Sequence, residues 1–212
     1  MSKRYTIFNV AQKTKEWFEL KKRRITGTGI EACLGESRFT TQEEYARQLL
    51  GLEKKHFTEE EKARMNYGVL HEDDARKYYE DRYNVKVNDC GFAIPTWDDR
   101  LGGSPDGLVG NDGIIEIKCP QKMYIPLYKE WERREHDENY VCTNFDHIWK
   151  SHYYQMQAYM IILERNWCDY IVYCIPEDKC FIERVPVDKK LWNEYIYPGI
   201  NKFWNKFIAP QI

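Results

Sequence analysis

Gly103-Ser104-Pro105-Asp106-Gly107, followed by Glu116-Ile117-Lys118-Cys119-Pro120 with Asp106 and Glu116 ten residues apart, is the stretch that decides the fold. Asn111-Asp112-Gly113 supplies a tight connection between two apolar runs, so the whole reads as a β-hairpin. Side chains alternate along a strand, so Glu116 and Lys118 share one face while Ile115, Ile117 and Cys119 share the other. Asp106 lies near the start of the opposing strand, level with that pair. Two carboxylates and an amine then converge at one edge of a sheet, a set suited to a divalent cation and an activated water. The same residues also fit the solvent face of an ordinary hairpin, because Pro-Asp-Gly is a good turn anywhere.

The whole chain constrains the setting. Its 212 residues suit one domain with a substantial core, a helical part over about 1–84 and a sheet with its helices over about 85–212. Hydrophobic residues at 42% and charged residues at 31% make a soluble globular composition. No apolar run reaches the roughly 18 residues of a membrane span, and the N-terminus lacks the pattern of a secretory signal. The expected location is therefore the cytoplasm, or the host nucleus or cytoplasm for a protein of a eukaryotic virus. The seven cysteines are scattered without a C-x-x-C pair, which argues against a zinc ribbon or a disulfide framework. Reduced, mostly buried thiols account for them better than an iron–sulfur cluster on Cys168, Cys174 and Cys180. Net charge is −2, with basic spots at Lys21-Lys22-Arg23-Arg24, Lys54-Lys55, Arg133-Arg134 and Lys189-Lys190. That balance fits an enzyme holding a polyanion in a groove rather than a protein that coats DNA.

Helical patterns cover 14–24, opening at Thr14, then about 29–34, and a stretch from the capping box Thr41-Gln42-Glu43-Glu44 to Leu50. A long helix is expected over 58–83, and strands near 85–95 and 99–120. Residues 121–150 read as an irregular excursion. An apolar helix over 151–165, a hairpin over 168–187 and a terminal helix interrupted at Pro198 complete the chain. The order implies an α/β fold with a central mixed sheet flanked by helices.

Three further constellations surround the hairpin. Glu72 follows Gly68 by one helical turn and adds a third carboxylate if that face meets the sheet; its alternative is a solvated acid in the run Glu72-Asp73-Asp74. Gln155 and Gln157 put two amides into an apolar helix, where buried amides need partners. Lys21, Arg24 and Thr26-Gly27-Thr28 gather cations, hydroxyls and backbone N–H groups in a phosphate-binding arrangement.

Together these pieces resemble the lambda-exonuclease (YqaJ-like viral recombinase) family of PD-(D/E)XK nucleases. They are Trp17…Leu20-Lys21…Ile25-Thr26-Gly27-Thr28, Gly68…Glu72, Ser104-Pro105-Asp106-Gly107, Glu116-Ile117-Lys118-Cys119-Pro120 and Tyr154-Gln155-Met156-Gln157, in the family's order over roughly residues 15–175. The resemblance implies a restriction-endonuclease-like core and a 5′-to-3′ exonuclease acting on double-stranded DNA ends in recombination. An endonuclease on the same fold, or a module that binds or anneals DNA without cutting, remains as an alternative. By resemblance, Asp106, Glu116, the Ile117 carbonyl and Glu72 would hold two Mg²⁺ ions, with Mn²⁺ as a substitute. Lys118 would orient or deprotonate the attacking water, its ammonium pushed towards neutrality. DNA and its 5′-phosphate would meet Lys21, Arg24, Thr26, Thr28, Ser104, Gln155 and Gln157. Lys21 stands where the family has Arg, and Thr28 where it has Ser; lysine lacks the bidentate fork, and Arg24 is the nearby compensation. The resemblance suggests a ring-like trimer, found in some relatives, and leaves a single-strand annealing partner open.

Overall fold

Capping and apolar alternation set the elements, which the computed structural model describes for residues 3–137, 139, 140, 142 and 144–212. β1 (Tyr5–Phe8) precedes α1 (Lys15–Lys21), which opens where Thr14 Oγ1 accepts from the Trp17 N–H. β2 (Ile25–Thr26) leads through a 3₁₀ turn into α2 (Ile30–Cys33). α3 (Gln42–Leu49) and α4 (Glu59–Leu70) each open on a complete capping box, Thr41 with Glu44 and Thr58 with Glu61. In each, side chains satisfy N–H groups that the helix itself leaves unpaired. α5 (Glu72–Tyr83) is followed by β3 (Val87–Asn88), β4 (Phe92–Pro95), β5 (Leu101–Gly102), β6 (Gly107–Val109) and β7 (Gly113–Lys118). Then come α6 (Ile125–His136), α7 (Lys150–Ile162), β8 (Trp167–Cys174) and β9 (Lys179–Pro186). The chain ends in α8 (Lys189–Leu191) and α9 (Tyr197–Phe203), each continued by a π turn.

Five strands form one sheet in the order β3-β6-β7-β8-β9, antiparallel except for the parallel pair β7 and β8. A parallel pair needs a crossover, which α6 and α7 provide. Two-stranded pairings join β1 to β4 and β2 to β5. Alternation along β7 divides the core as expected. Ile114 faces the main cluster with Met156 and Met160 of α7, while Ile115, Ile117 and Cys119 join Ala75 and Tyr79 of α5. The result is the mixed sheet with flanking helices that the element order implied.

Four expectations need correction. The helix over 58–83 is two helices, because His71 leaves helical geometry (φ −110°, ψ 2°) between α4 and α5. Gly68 and Glu72 therefore do not share a helix face, and a Cβ at Gly68 would sit in ordinary contact, 3.8 Å from the Cys119 carbonyl. The excursion 121–150 contains α6, which has a proline at its start and Arg133, Arg134 and His136 in its last turn. The last helix does not stop at Pro198: the proline lies in the first turn of α9, directly after the π turn Trp192–Ile196. The hairpin turn is Gly110-Asn111-Asp112, since Val109 pairs with Gly113, and Gly110 carries the positive φ of 52°.

Tyr159 of α7 wedges between two backbone segments that must lack side chains. A Cβ on Gly103 would lie 2.4 Å from the Tyr159 ring, and one on Gly27 2.9 Å from it. Tyr159 is 5% exposed, so its ring has little room to retreat. Gly103→Ala should therefore destabilise the fold by about 1–3 kcal/mol through overpacking, measured by urea unfolding. An unchanged midpoint would show that the wedge yields freely.

Candidate active site

Asp106 immediately precedes β6, whose register sets Gly107 opposite Ile115. Its Oδ2 accepts the Ile117 N–H at 2.7 Å, which locks the carboxylate against β7. Glu116 is 1% exposed, so the solvent-face alternative does not hold. Its Oε1 accepts from Lys118 Nζ, whereas its Oε2 is buried without any partner among the described residues. Glu72, the first residue of α5, lines the same cavity as Asp106, Glu116, Ile117 and Lys118. α5 is held there by the apolar contacts of Ala75 and Tyr79 with the sheet. Tyr79 OH also donates to Asp169 Oδ2 at 2.6 Å, and Arg184 clamps both oxygens of that carboxylate. Arg76 reaches from α5 to the Asp106 carbonyl and to Asp89.

The electrostatics follow from burial and crowding. Burial raises the Asp106 carboxyl against the opposing pull of Lys118 and the Ile117 N–H. It also raises Glu72, with repulsion from Asp106 adding to it. Glu116 is pushed up to about 8, chiefly by burial. For Lys118, burial disfavours the ammonium, but Glu116 and Asp106 outweigh it and hold the amine protonated. That reverses the expected drift of Lys118 towards neutrality. One ammonium thus faces three carboxyl groups, and Glu116 Oε2 lacks a partner. An oxygen-rich set with an orphaned buried acceptor fits a hard divalent cation.

The cavity above these groups has a volume of about 150 Å³. Lys21, Thr26 and Thr28 line both it and an adjoining groove of about 920 Å³. Thr26 and Thr28 hydroxyls are 3.3 Å apart, and the Lys21 ammonium lies 5.0 Å from the Trp17 ring centroid. Burial lowers the Lys21 amine, and Lys55 across the groove lowers it further. Arg24 lines the groove rather than the small cavity, and donates to the Leu20 and Asp99 carbonyls. Ser104 lines the cavity, with its hydroxyl donated to the Gly91 carbonyl. Gln155 also lines it and donates to Tyr159 OH at 3.4 Å.

Gln157 is the correction among these residues. It is fully buried, donates to the Pro186 carbonyl and accepts the Asp188 N–H, so it joins α7 to the end of β9 and lines neither space. Residues two apart on a helix do not face the same way, so Gln155 and Gln157 could not both reach one cavity. Several lining residues escaped the sequence reading of the site, three of them polar groups close to its named residues. Tyr159 looked like an ordinary apolar helix residue, and Gln12, which donates to the Ser104 carbonyl, belongs to no motif. Lys55 belongs to the basic spot Lys54-Lys55, and no spacing in the sequence links it to Lys21, with which it lines the groove.

Comparison with known proteins bears on the fold and the family. The family model of the YqaJ-like viral recombinase domain matches residues 16–166. No curated protein matches the chain. Among solved structures, the alkaline exonuclease LHK-Exo from Laribacter hongkongensis aligns with a TM-score of 0.71 and 25% identity, over 93% of this chain and 94% of that one. The same enzyme in complex with dAMP aligns equally well. A phage-related exonuclease from Haemophilus somnus 129PT shares the fold, with a TM-score of 0.59 and 13% identity over 89% of this chain and 96% of its own. The order and spacing of the Asp106, Glu116 and Lys118 segments, the fold around them and the family match agree: the chain belongs to the YqaJ-like viral recombinase domain family.

Proposed function

We propose that this chain is a metal-dependent exodeoxyribonuclease that removes nucleotides from the 5′ end of double-stranded DNA. The observation that carries the reading is the buried carboxylate set with its unpartnered Glu116 Oε2, at the base of a cavity that continues into a groove with basic and aromatic lining. The alkaline exonucleases of similar fold support it. Asp106, Glu116, Glu72 and the Ile117 carbonyl would hold Mg²⁺. When bound, Mg²⁺ would stabilise charge on the attacking and leaving oxygens of the phosphodiester. Asp106 is oriented for this by the Ile117 N–H, and Glu116 by Lys118. Lys118, kept protonated by its neighbours, acts as a donor that orients water and offsets phosphate charge rather than as the base.

End selection would lie at the junction of cavity and groove. Lys21 and Lys55 repel each other there, and a terminal phosphate would relieve the repulsion while the Thr26 and Thr28 hydroxyls donate to its oxygens. Phe18, Phe39 and Trp149 in the groove wall are exposed rings on which unpaired bases can stack.

Linear duplex labelled at either end and a covalently closed circle, each with Mg²⁺, test the reading. Early release of the 5′ label as mononucleotide and an intact circle are expected; cutting of the circle would make the chain an endonuclease. Asp106→Ala and Lys118→Ala should each reduce cleavage by at least about 100-fold, as loss of electrostatic stabilisation does, and folded variants of wild-type activity would contradict the site. Lys21→Ala should narrow the preference for 5′-phosphate over 5′-hydroxyl ends in competition assays, and an unchanged preference removes Lys21 from end selection.

Glu116 also links folding to pH. Its carboxyl rises from 4.5 to about 8 on folding, so in that interval the folded chain holds a proton that the unfolded chain has released. Stability then falls as pH rises through the interval. In metal-free protein, wild type should lose unfolding free energy relative to Glu116→Gln between those two values, measured by urea unfolding across pH. A difference that does not vary with pH would contradict the burial of an ionisable Glu116.

A further inference from the structure

A second cluster of ligating side chains lies outside both the cavity and the groove. Glu130 of α6, Cys142 and His147 bring a carboxylate oxygen, a thiol sulfur and an imidazole nitrogen within 4.8 Å of one another. Glu130 and His147 are buried, and Cys142 is half-buried. None of the three lines either space described above.

The hydrogen bonds around the cluster are those of a prepared ligand set. His147 Nε2 is bonded to Glu183 of β9, and a carboxylate only accepts, so Nε2 carries the proton. In the neutral ring Nδ1 then keeps its lone pair, which faces Cys142 Sγ at 3.9 Å. A ligating histidine is commonly oriented in this way, through a carboxylate on its other nitrogen. Glu183 is itself held by Arg134 at 2.7 Å, and Arg134 also reaches Glu130 at 3.1 Å. Tyr140 OH donates to Glu130 Oε2 at 3.0 Å. Both carboxylates are thus fixed from outside the cluster, while the Cys142 thiol contacts the Asn144 carbonyl as well as His147 and Glu130.

We propose that Glu130, Cys142 and His147 form a Zn²⁺ site, distinct from the carboxylate cavity, that ties the segment before α7 to α6 and β9. Sulfur and nitrogen donors select Zn²⁺ over Mg²⁺, which takes oxygen ligands. Three protein ligands leave a fourth position for water. Binding would displace the Cys142 thiol proton to solvent, so the thiolate replaces its contact with Asn144 by a bond to the metal. The site would brace the groove wall. The His147 carbonyl accepts from Tyr124 OH, and the Tyr124 ring packs at 4.8 Å on Trp149, which lines the groove.

The test uses the full chain, stripped with chelator, reloaded with Zn²⁺ or Co²⁺ and passed through gel filtration. About one Zn²⁺ per chain should be retained by mass spectrometry of the metal. The Co²⁺ form should show a sulfur-to-cobalt charge-transfer band with visible bands of tetrahedral type. Cys142→Ser and His147→Gln should lose both signals, whereas Asp106→Ala, altered in the other site, should keep them. Wild type that retains no Zn²⁺ and shows no such band overturns the proposal, as does metal that the Cys142 and His147 variants still hold. Should those variants fail to fold, alkylation of wild type decides the matter. Zn²⁺, but not Mg²⁺, should slow iodoacetamide labelling of Cys142 while leaving the half-buried Cys180 unchanged, and equal labelling of Cys142 with and without Zn²⁺ overturns the site.

Discussion

Glu116 carries a carboxylate into the packed face of the middle strand of the sheet, and much of the molecule is arranged around that burial. An ion removed from water costs several kcal/mol unless it is paired and hydrogen-bonded. Lys118, two residues along the same strand, answers one oxygen only, and the other has no partner. Asp106 enters beside it with a like charge, fixed by the Ile117 N–H, and Glu72 adds a third from the start of α5. No rearrangement of one ammonium can satisfy three carboxyl groups. In the proposed function a cation is the missing partner, and a chain selected for stability alone has no reason to keep such a set.

The packing of the rest serves that position. α7 crosses close over the site because Gly27 and Gly103 leave room for Tyr159. The pairing of β2 with β5 sets Thr26 beside Gly102, one residue before that glycine. Thr26, Thr28 and Lys21 thereby stand where the small cavity meets the large groove. In the proposed function this junction separates two tasks: the carboxylates and Lys118 act on the phosphodiester, and the lysines and hydroxyls recognise the end that precedes it.

Local patterns in the sequence account for much of this architecture. Alternation along Ile114–Lys118 places Glu116 and Lys118 correctly, and the capping boxes at Thr41 and Thr58 locate two helix starts. What escaped depends on contacts distant in sequence. Nothing between residues 58 and 83 announces the break at His71, because the apolar spacing continues through it; the break brings Glu72 to the site as the first residue of a new helix. α6 was hidden by its charge and aromatics, although Pro126 at its start and the basic last turn are helix signals. Gln157 looked equivalent to Gln155 until helical geometry turned it towards β9. The charge on Lys118 could not be judged before its burial and the number of nearby acids were known.

Asp106, Glu116 and Glu72 are proposed to form a cation site. A crystal of the full chain soaked in Mn²⁺, with anomalous scattering recorded at the manganese edge, tests it most directly. The expected result is an anomalous peak bonded to Asp106 and Glu116, with Glu116 Oε2 among its ligands. Manganese bound elsewhere, with that oxygen still unpartnered beside Lys118, would contradict it.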